Sequence, residues 1–168
     1  MPVCIRNMQS VIRVNRRQLK KHAKMIVAHA GYQDYDVGLM MVHNEEMRQM
    51  NHLYRGKDEV TDVLAFPYHE ILPENAGLLP EVHPKERILG DIVLGMPYIA
   101  LDCLKRDEDL QTTVLSIFTH GLCHLVGFNH ESEHEWMQMY REEVKILEKF
   151  NKFSGFHCKP LLGLGHYE

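Results

Sequence analysis

A chain of 168 residues is long enough to bury a core as one domain. The hydrophobic fraction of 45% and the charged fraction of 25% are those of a globular protein, and no apolar run approaches the length of a membrane span. The formal net charge of −4 is unevenly distributed, because residues 1–33 carry seven Lys/Arg and no acid. The four cysteines form no C-x-x-C pair, which argues against a disulfide framework and favours a reducing compartment.

The basic N-terminal segment has the pattern of folded structure. Residues 3–7 and 10–14 alternate as strands do, and an amphipathic helix is predicted from about residue 15 to residue 30. A basic, acid-free N-terminus can also be a mitochondrial presequence. We interpret the segment as part of the fold, which leaves an uncleaved targeting role open. The outer side of the helix is either a solvated face or a phosphate-contacting surface, and its basic residues are Arg17, Lys20, Lys21 and Lys24.

The middle of the chain contains further predicted strands, at residues 37–43, 62–67 and 88–95, which are rich in Val, Ile and Leu. Asn44 is predicted to cap a short helix that ends at Gly56. The predicted core face of this helix consists of Met47, Met50, Leu53 and Tyr54. Residues 68–87 contain three prolines and little periodicity, so this long loop insertion is either functional or disordered.

The last third of the chain is predicted to be helical. One helix is expected near residues 98–106, and a stronger one begins around Asp109. Ser132 and Glu135 have the spacing of a capping box for a final helix. Its predicted core stripe is Trp136, Tyr140, Val144 and Leu147. We therefore predict a single α+β domain over residues 1–155, with a mixed sheet of about four strands against about five helices, and a C-terminal tail over residues 156–168.

The segment "THGLCHLVGFNHE" at residues 119–131 carries the chemistry. An H-x3-H pair is weak evidence in a chain with 12 histidines, but Gly127 and a third histidine at fixed offsets make the pattern specific. His120 and His124 lie one helical turn apart, and Gly127 can end the helix so that His130 returns as a third ligand. Three nitrogen ligands leave a fourth position for water, as in a catalytic zinc site.

The spacing is that of metzincin metalloproteases, which require a glutamate directly after the first histidine as general base. Gly121 occupies that position here. Without the carboxylate, a peptidase mechanism lacks its proton acceptor. The site therefore suits another hydrolysis, in which a zinc-activated water, with its pKa lowered to about 7, serves at neutral pH.

The motif "HGLCHLVGFNH" resembles the signature of the YbeY endoribonucleases. Three further stretches agree in order and spacing: "NHLYRGKDEVTDVLAFP" at residues 51–67, "LGDIVLG" at 89–95 and "IRN" at 5–7. The resemblance covers most of the chain from residue 3 to about residue 150. The "HGLCHL" form and the expanded 68–87 loop look most like animal members of the family.

The resemblance implies a zinc-dependent, single-strand-specific endoribonuclease that acts in ribosomal RNA maturation and small-subunit assembly. In animals it implies a mitochondrial location and a small-subunit ribosomal protein as partner. His120, His124 and His130 match the family's three metal ligands for one Zn²⁺ ion, and Arg55 matches its functional arginine. Asn129 departs from the pattern, since many members have aspartate before the third histidine.

Physical reasoning leaves other roles open. Arg55 can hold a phosphate bidentately, or it can be a surface arginine near a helix C-terminus. Asp62 and Asp91 are acids beside apolar strands, and either could orient a histidine or act as general base. Two alternative functions remain. The chain could be a ribosome assembly factor with a mainly structural zinc, or a metallopeptidase. We expect no membrane partner.

Overall fold

The computed structural model describes residues 3–164. These residues form one mixed sheet and five helices, which confirms the predicted α+β class. The strands are β1 (Val3–Asn7), β2 (Asp36–Val42), β3 (Val63–Pro67) and β4 (Ile88–Gly95). The helices are α1 (Arg16–His29), α2 (Asn44–Arg55), α3 (Met96–Arg106), α4 (Leu110–Leu125) and α5 (Glu133–Ser154). None of the described helices is long and apolar enough to cross a membrane.

The sheet has the strand order β1-β2-β4-β3. β1, β2 and β4 run parallel, and β3 runs antiparallel to β4. β1 and β3 are therefore the two edge strands. Because side chains alternate along a strand, β4 serves both faces of the sheet: Ile92 lies in the large core and Val93 in a small second cluster.

The large core lies between the sheet and four helices. Buried apolar side chains of α1, α3, α4 and α5 pack together against β1, β2 and β4. α4 is buried along almost its whole length and runs beside β3 and β4. α2 covers the other face over a smaller cluster, which consists of Val42, Met47, Leu64 and Val93. This layering places the C-terminal end of α4 beside the exposed edge of β3.

Several local predictions were wrong. Residues 10–14 are not a strand, because the Gln9 side chain accepts from the amides of Val11 and Ile12 and holds a turn. α2 is capped by His43 rather than Asn44, with the Glu46 carboxylate accepting from the His43 amide at 3.0 Å. Leu53 and Tyr54 are exposed instead of buried. One turn after Met47, the buried face of α2 is occupied by Asn51. The side-chain amide of Asn51 donates to the Glu59 carbonyl.

The predicted core stripe of α5 is confirmed at Leu147, whereas Trp136, Tyr140 and Val144 are only partly buried. The buried residues of this helix are Met139, Glu143, Ile146, Leu147 and Phe150. Trp136 and Tyr140 are only partly buried and stack on each other at 5.3 Å. The chain after α5 folds back onto it, with Leu161 and Leu162 buried and the Cys158 backbone bonded to the Asn151 side chain. The described part of the predicted tail thus contributes to the core.

Candidate metal centre

The three predicted ligands meet at the end of α4. One ring nitrogen from each of His120, His124 and His130 lies within 4.8 Å of the others. The Nε2 atoms of His120 and His124 are 3.2 Å apart. Two nitrogens bound tetrahedrally to zinc at about 2.0–2.1 Å lie roughly 3.3–3.4 Å from each other. The three-imidazole donor set and the His120–His124 spacing therefore fit a zinc ion.

The second nitrogen of each helical histidine is held by the protein. The Nδ1–H of His124 donates to the Phe128 carbonyl at 3.0 Å, and Nδ1 of His120 lies 2.9 Å from Oε2 of Glu143. Such contacts select the tautomer that leaves Nε2 for a metal, and a carboxylate raises the basicity of its histidine. Both rings are thereby oriented before any ion binds.

Glu143 is the functional residue that the sequence reasoning missed. Its side chain has no exposed surface, and Oε1 accepts from the Leu161 amide at 2.7 Å. Burial raises the pKa of Glu143 to about 8, against the opposing effect of hydrogen bonds from the Leu161 and Leu162 amides. The sequence did contain a signal for it. Glu143 lies four residues after Met139 and four before Leu147, and that spacing places it on the buried face of α5.

Burial also changes the pKa of one of the predicted ligands, His124. It lowers the pKa of His124 to about 3, with further lowering from the charges of His120, His130 and Arg55. The imidazole of His124 is therefore neutral at physiological pH, which is the form that binds metals. The charge of Arg55 is the smallest of these influences on the pKa of His124.

The histidines open into a cleft of about 840 Å³. Its walls are the exposed edge of β3, the C-terminal end of α2, the loop after α4, and Leu161 from the chain after α5. Arg55, Lys57, Asp62, Asn129 and Glu131 are its charged or amide-bearing lining residues. Arg55 and Asp62 are thus brought to the same cleft as the predicted ligands.

Asp91 is not among the described residues that line the cleft. Its neighbour Ile92 packs against α4 at Gly121, so Asp91 points to the opposite face of the sheet. A role for Asp91 at the histidines is excluded by this orientation. Asn129 lines the cleft beside His130, and nothing in its contacts explains the departure from aspartate.

The two glycines of the motif have different structural roles. A Cβ on Gly121 would lie 3.0 Å from Cγ2 of Ile92, so this glycine allows α4 to approach β4. Gly127 has φ +102°, and a Cβ there would lie 2.7 Å from Cγ2 of Ile71. Position 121 therefore faces the sheet and not the cleft.

The 68–87 loop is ordered and forms part of the site. It contains two short 3-10 turns, and Ile71 packs over Gly127 and lines the cleft. The Gly77 amide donates to the Val126 carbonyl at 2.8 Å. The loop thus braces the turn that carries His130 back to the other two histidines, which favours the functional interpretation over disorder.

The fold and the site define a protein of the α+β class with three clustered histidines that could hold a metal ion at the end of a buried helix. A family model described as "Endoribonuclease YbeY" matches residues 4–151. The human protein named "Endoribonuclease YbeY" is 39% identical over 162 residues, which cover 96% of this chain and 95% of that one. An Acinetobacter baumannii protein of the same name is 34% identical, over 83% of this chain and 86% of its own. This chain belongs to the YbeY endoribonuclease family.

The fold also has a structural relative. The solution structure of a Thermotoga maritima protein covers 95% of this chain and 98% of its own length, with a TM-score of 0.53 and 17% sequence identity. At that identity the likeness shows the fold alone.

Proposed function

We propose that this protein is a zinc-dependent endoribonuclease that cleaves single-stranded RNA in ribosomal RNA maturation and small-subunit assembly. The observation that carries the proposal is the position of three clustered histidines, two of them oriented by protein contacts, in a cleft that also contains an arginine. Structural zinc sites are closed by four protein ligands, whereas catalytic sites keep a position open. Membership of the family, whose relatives are named endoribonucleases, supports RNA as the substrate.

Each residue of the site has a role in this proposal. His120, His124 and His130 would hold the zinc, Glu143 and the Phe128 carbonyl fix two of the rings, and Arg55 would bind the scissile phosphate. When bound, zinc supplies Lewis-acid polarisation of a phosphoryl oxygen and makes water acidic enough to be a nucleophile at neutral pH. The Arg55 guanidinium can pair with two phosphate oxygens and offset the charge that develops during cleavage.

Proton transfer requires a further group, and the cleft offers Asp62. Asp62 is a lining residue of the cleft, and its carboxylate accepts from the Thr61 hydroxyl at 3.3 Å. Glu131 is the other lining carboxylate. We propose Asp62 as the general base, because it lies on the segment leading into β3, the strand that forms one wall beside the histidines.

The shape of the cleft supports single-strand specificity. One wall of the cleft is the edge of β3. The cleft is also lined by Tyr54 and Phe66, whose ring centroids are 5.0 Å apart. Aromatic rings stack with unpaired bases, which are accessible only in single strands.

We also propose that the protein works in mitochondria with a small-subunit ribosomal protein, supported by the likeness to the human relative over nearly its whole length.

The decisive experiment is a cleavage assay with purified protein on an end-labelled single-stranded RNA and on the same RNA annealed to its complement. Cleavage of the single strand should depend on added zinc and should be lost with chelator and in His124→Ala. Cleavage that survives both treatments would overturn the metal mechanism. Equal cleavage of the duplex would overturn strand specificity.

The assembly-factor alternative is separated by complementation. In cells that depend on this protein, Arg55→Ala should block ribosomal RNA maturation while the variant protein remains folded and zinc-loaded. Normal maturation with Arg55→Ala would favour a docking role with a structural zinc. For a metallopeptidase, chelator-sensitive cleavage of casein is required, and we expect none.

A further inference from the structure

The free edge of β3 carries backbone groups that the sheet does not use. β3 pairs only with β4, in an antiparallel register. Just beyond the strand, the Tyr68 amide donates to a β4 carbonyl at 3.0 Å. Because hydrogen-bonded positions alternate along an antiparallel pair, Phe66 and Leu64 also bond to β4. The N–H and C=O groups of Val63 and Ala65 therefore point away from the sheet.

Both ends of the strand agree with this orientation. The Gly95 amide of β4 donates to the Asp62 carbonyl at 2.9 Å, which continues the same alternation. Pro67 belongs to the outward set and has no N–H to donate, as expected of a proline on an edge strand. Within residues 3–164, no hydrogen bond engages the outward backbone groups of Val63 or Ala65. Two donors and two acceptors at these residues thus remain free.

The metal cleft crosses this edge from one face of the sheet to the other. Val63 and Ala65 pack toward the large core on the α4 side, where the three histidines lie. Leu64 and Phe66 belong to the smaller cluster under α2, and the Phe66 ring centroid lies 5.0 Å from that of Tyr54. All of these residues line the same cleft. An occupant of the cleft therefore meets histidines on one side of the edge and an aromatic pair on the other.

β3 lacks most of the features that protect an exposed edge. Its sequence, Val-Leu-Ala-Phe-Pro, contains no charged side chain, and a proline stands only at its last position. Edge strands normally carry charges, prolines or bulges, or are covered, because free N–H and C=O groups pair with other chains. An apolar edge that stays open within a metal cleft therefore indicates a ligand that bonds to its backbone.

Two kinds of extended polymer can bond to such an edge. A peptide adds a strand through its own donors and acceptors. Single-stranded RNA offers phosphate oxygens as acceptors and 2′-hydroxyls as donors, whereas DNA lacks the 2′ donor. The cleft favours RNA, because Arg55 and Lys57 supply cations for phosphates. Tyr54 and Phe66 supply rings on which bases stack.

We propose that the free edge of β3 binds the ribose–phosphate backbone of single-stranded RNA and distinguishes it from DNA. The amides of Val63 and Ala65 donate to phosphate oxygens, and the carbonyls of the same residues accept from 2′-hydroxyls. These contacts are independent of base sequence, since they involve backbone atoms of both partners. The inference rests on the proposed function for the choice of RNA, and it adds the groups that select the sugar.

The first test is residue-resolved amide hydrogen exchange by NMR on the full chain with zinc added. In the free protein, the amides of Val63 and Ala65 should exchange about tenfold faster than those of Leu64 and Phe66, which bond to β4. The probe is a 12-mer of 2′-amino-2′-deoxyuridine, which keeps a donor at the 2′ position, with its integrity checked on a gel. At saturation the probe should slow exchange at Val63 and Ala65 about tenfold and leave Leu64 and Phe66 unchanged. Unchanged exchange at Val63 and Ala65 would overturn the inference.

The second test compares strands that differ only at the 2′ position, with affinities measured by fluorescence anisotropy. Deoxyuridine and 2′-fluoro-2′-deoxyuridine 12-mers have no 2′ donor. Each should bind about 5- to 25-fold more weakly than the 2′-amino strand, since one lost hydrogen bond costs roughly fivefold and two carbonyls are available. Equal affinities of the three strands would contradict selection of the sugar by this edge.

The third test removes one donor from the protein. Ala65→Pro deletes an outward amide, and Pro67 shows that the strand accepts proline in this register. The variant should bind all three 12-mers about fivefold more weakly, because all three share the phosphates. The ratio between the 2′-amino and deoxy affinities should be unchanged, because the Ala65 carbonyl remains. Unchanged affinity in a variant that is folded by circular dichroism argues against the amide contact. The first two tests use the unaltered protein, so they decide the inference even if this proline disturbs folding.

The remaining outcomes separate this inference from its alternatives. An eight-residue peptide of alternating Val and Thr probes strand addition. If the peptide slows exchange at Val63 and Ala65 and the 12-mer does not, a peptide is the ligand and the inference is wrong. If the 12-mer protects the edge but single-stranded RNA is not cleaved, the proposed function fails and this inference stands. If RNA is cleaved while the edge stays unprotected, only this inference fails.

Discussion

Nδ1 of His120 lies 2.9 Å from Oε2 of Glu143, a carboxylate with no exposed surface. The other oxygen of Glu143 accepts from the Leu161 amide at 2.7 Å. One buried side chain therefore links α4, α5 and the chain after α5 at the metal centre. A buried carboxylate is costly unless it is paired and hydrogen-bonded, and Glu143 has both kinds of partner. Glu143 therefore contributes both to the stability of the fold and to the orientation of His120.

Above the raised pKa of Glu143, Glu143→Gln should lower zinc affinity by about 10- to 100-fold, because the amide lacks the charge with which the ionised carboxylate makes His120 a better ligand. The Gln carbonyl can still accept from the Leu161 amide, so the protein should remain folded. Glu143→Ala leaves that buried amide without its acceptor and should cost a further ~1–3 kcal/mol of unfolding free energy. Chelator competition measures the first effect and urea unfolding the second. Glu148→Gln, at an exposed position of α5, is the control, and an equal loss of zinc affinity there would contradict the assignment.

Arg55→Ala should lower kcat for RNA cleavage by about 10²- to 10³-fold and leave zinc bound, because the guanidinium acts on the phosphate and is not a metal ligand. Arg55→Lys should recover only part of the rate, since lysine is a point charge without the bidentate fork. Arg48→Ala is the matched control on the same helix, where Arg48 pairs with Asp58 at 3.2 Å. Steady-state kinetics on single-stranded RNA separate kcat from KM. A full rate in Arg55→Ala would remove this residue from the mechanism.

Gly127→Ala should destabilise the protein by about 2–4 kcal/mol, because it combines an unfavourable positive φ with a clash against Ile71. Gly31 has a similar φ of +92° but open space around it, so Gly31→Ala isolates the backbone cost of about 1–2 kcal/mol. In Ile71→Ala, the added cost of Gly127→Ala should approach that of Gly31→Ala. Urea unfolding of the four variants tests this coupling, and additive costs at positions 127 and 71 would argue against the contact.

His22 should make the α1–α5 interface sensitive to acid. Burial, and then the charge of Lys21, lowers the pKa of His22 from its ordinary value of 6.5. A histidine whose pKa is lower in the folded state contributes stability above the unfolded pKa and loses it as pH falls through the folded pKa. His22→Phe keeps the aromatic packing and removes the titration. The loss of stability between pH 7 and pH 5, measured by urea unfolding, should be smaller in this variant, and an identical loss in both proteins would contradict the prediction.

Local sequence signals predicted the helices because each depends on near neighbours. The Asp109 side chain caps α4 and Ser132 caps α5, and Gly56 ends α2 with φ +72°, as their spacing indicated. The prediction for residues 10–14 failed because a neighbouring side chain competes with the strand pattern. These residues alternate like a strand, yet the Gln9 side chain accepts from the amides of Val11 and Ile12 and holds them in a turn. The periodicity of the sequence does not reveal this competing contact of the Gln9 side chain.

The sequence by itself determined the membership of the family and the three histidines, because a helical turn and a glycine set their spacing within eleven residues. Only the tertiary structure decided what surrounds them. Glu143 supports His120 from 23 positions away, and Ile71 holds the turn at Gly127. The close approach of Gly121 to Ile92 also depends on how α4 packs on the sheet. These contacts join segments distant along the chain, so their geometry is set by packing of the whole core and not by any local pattern.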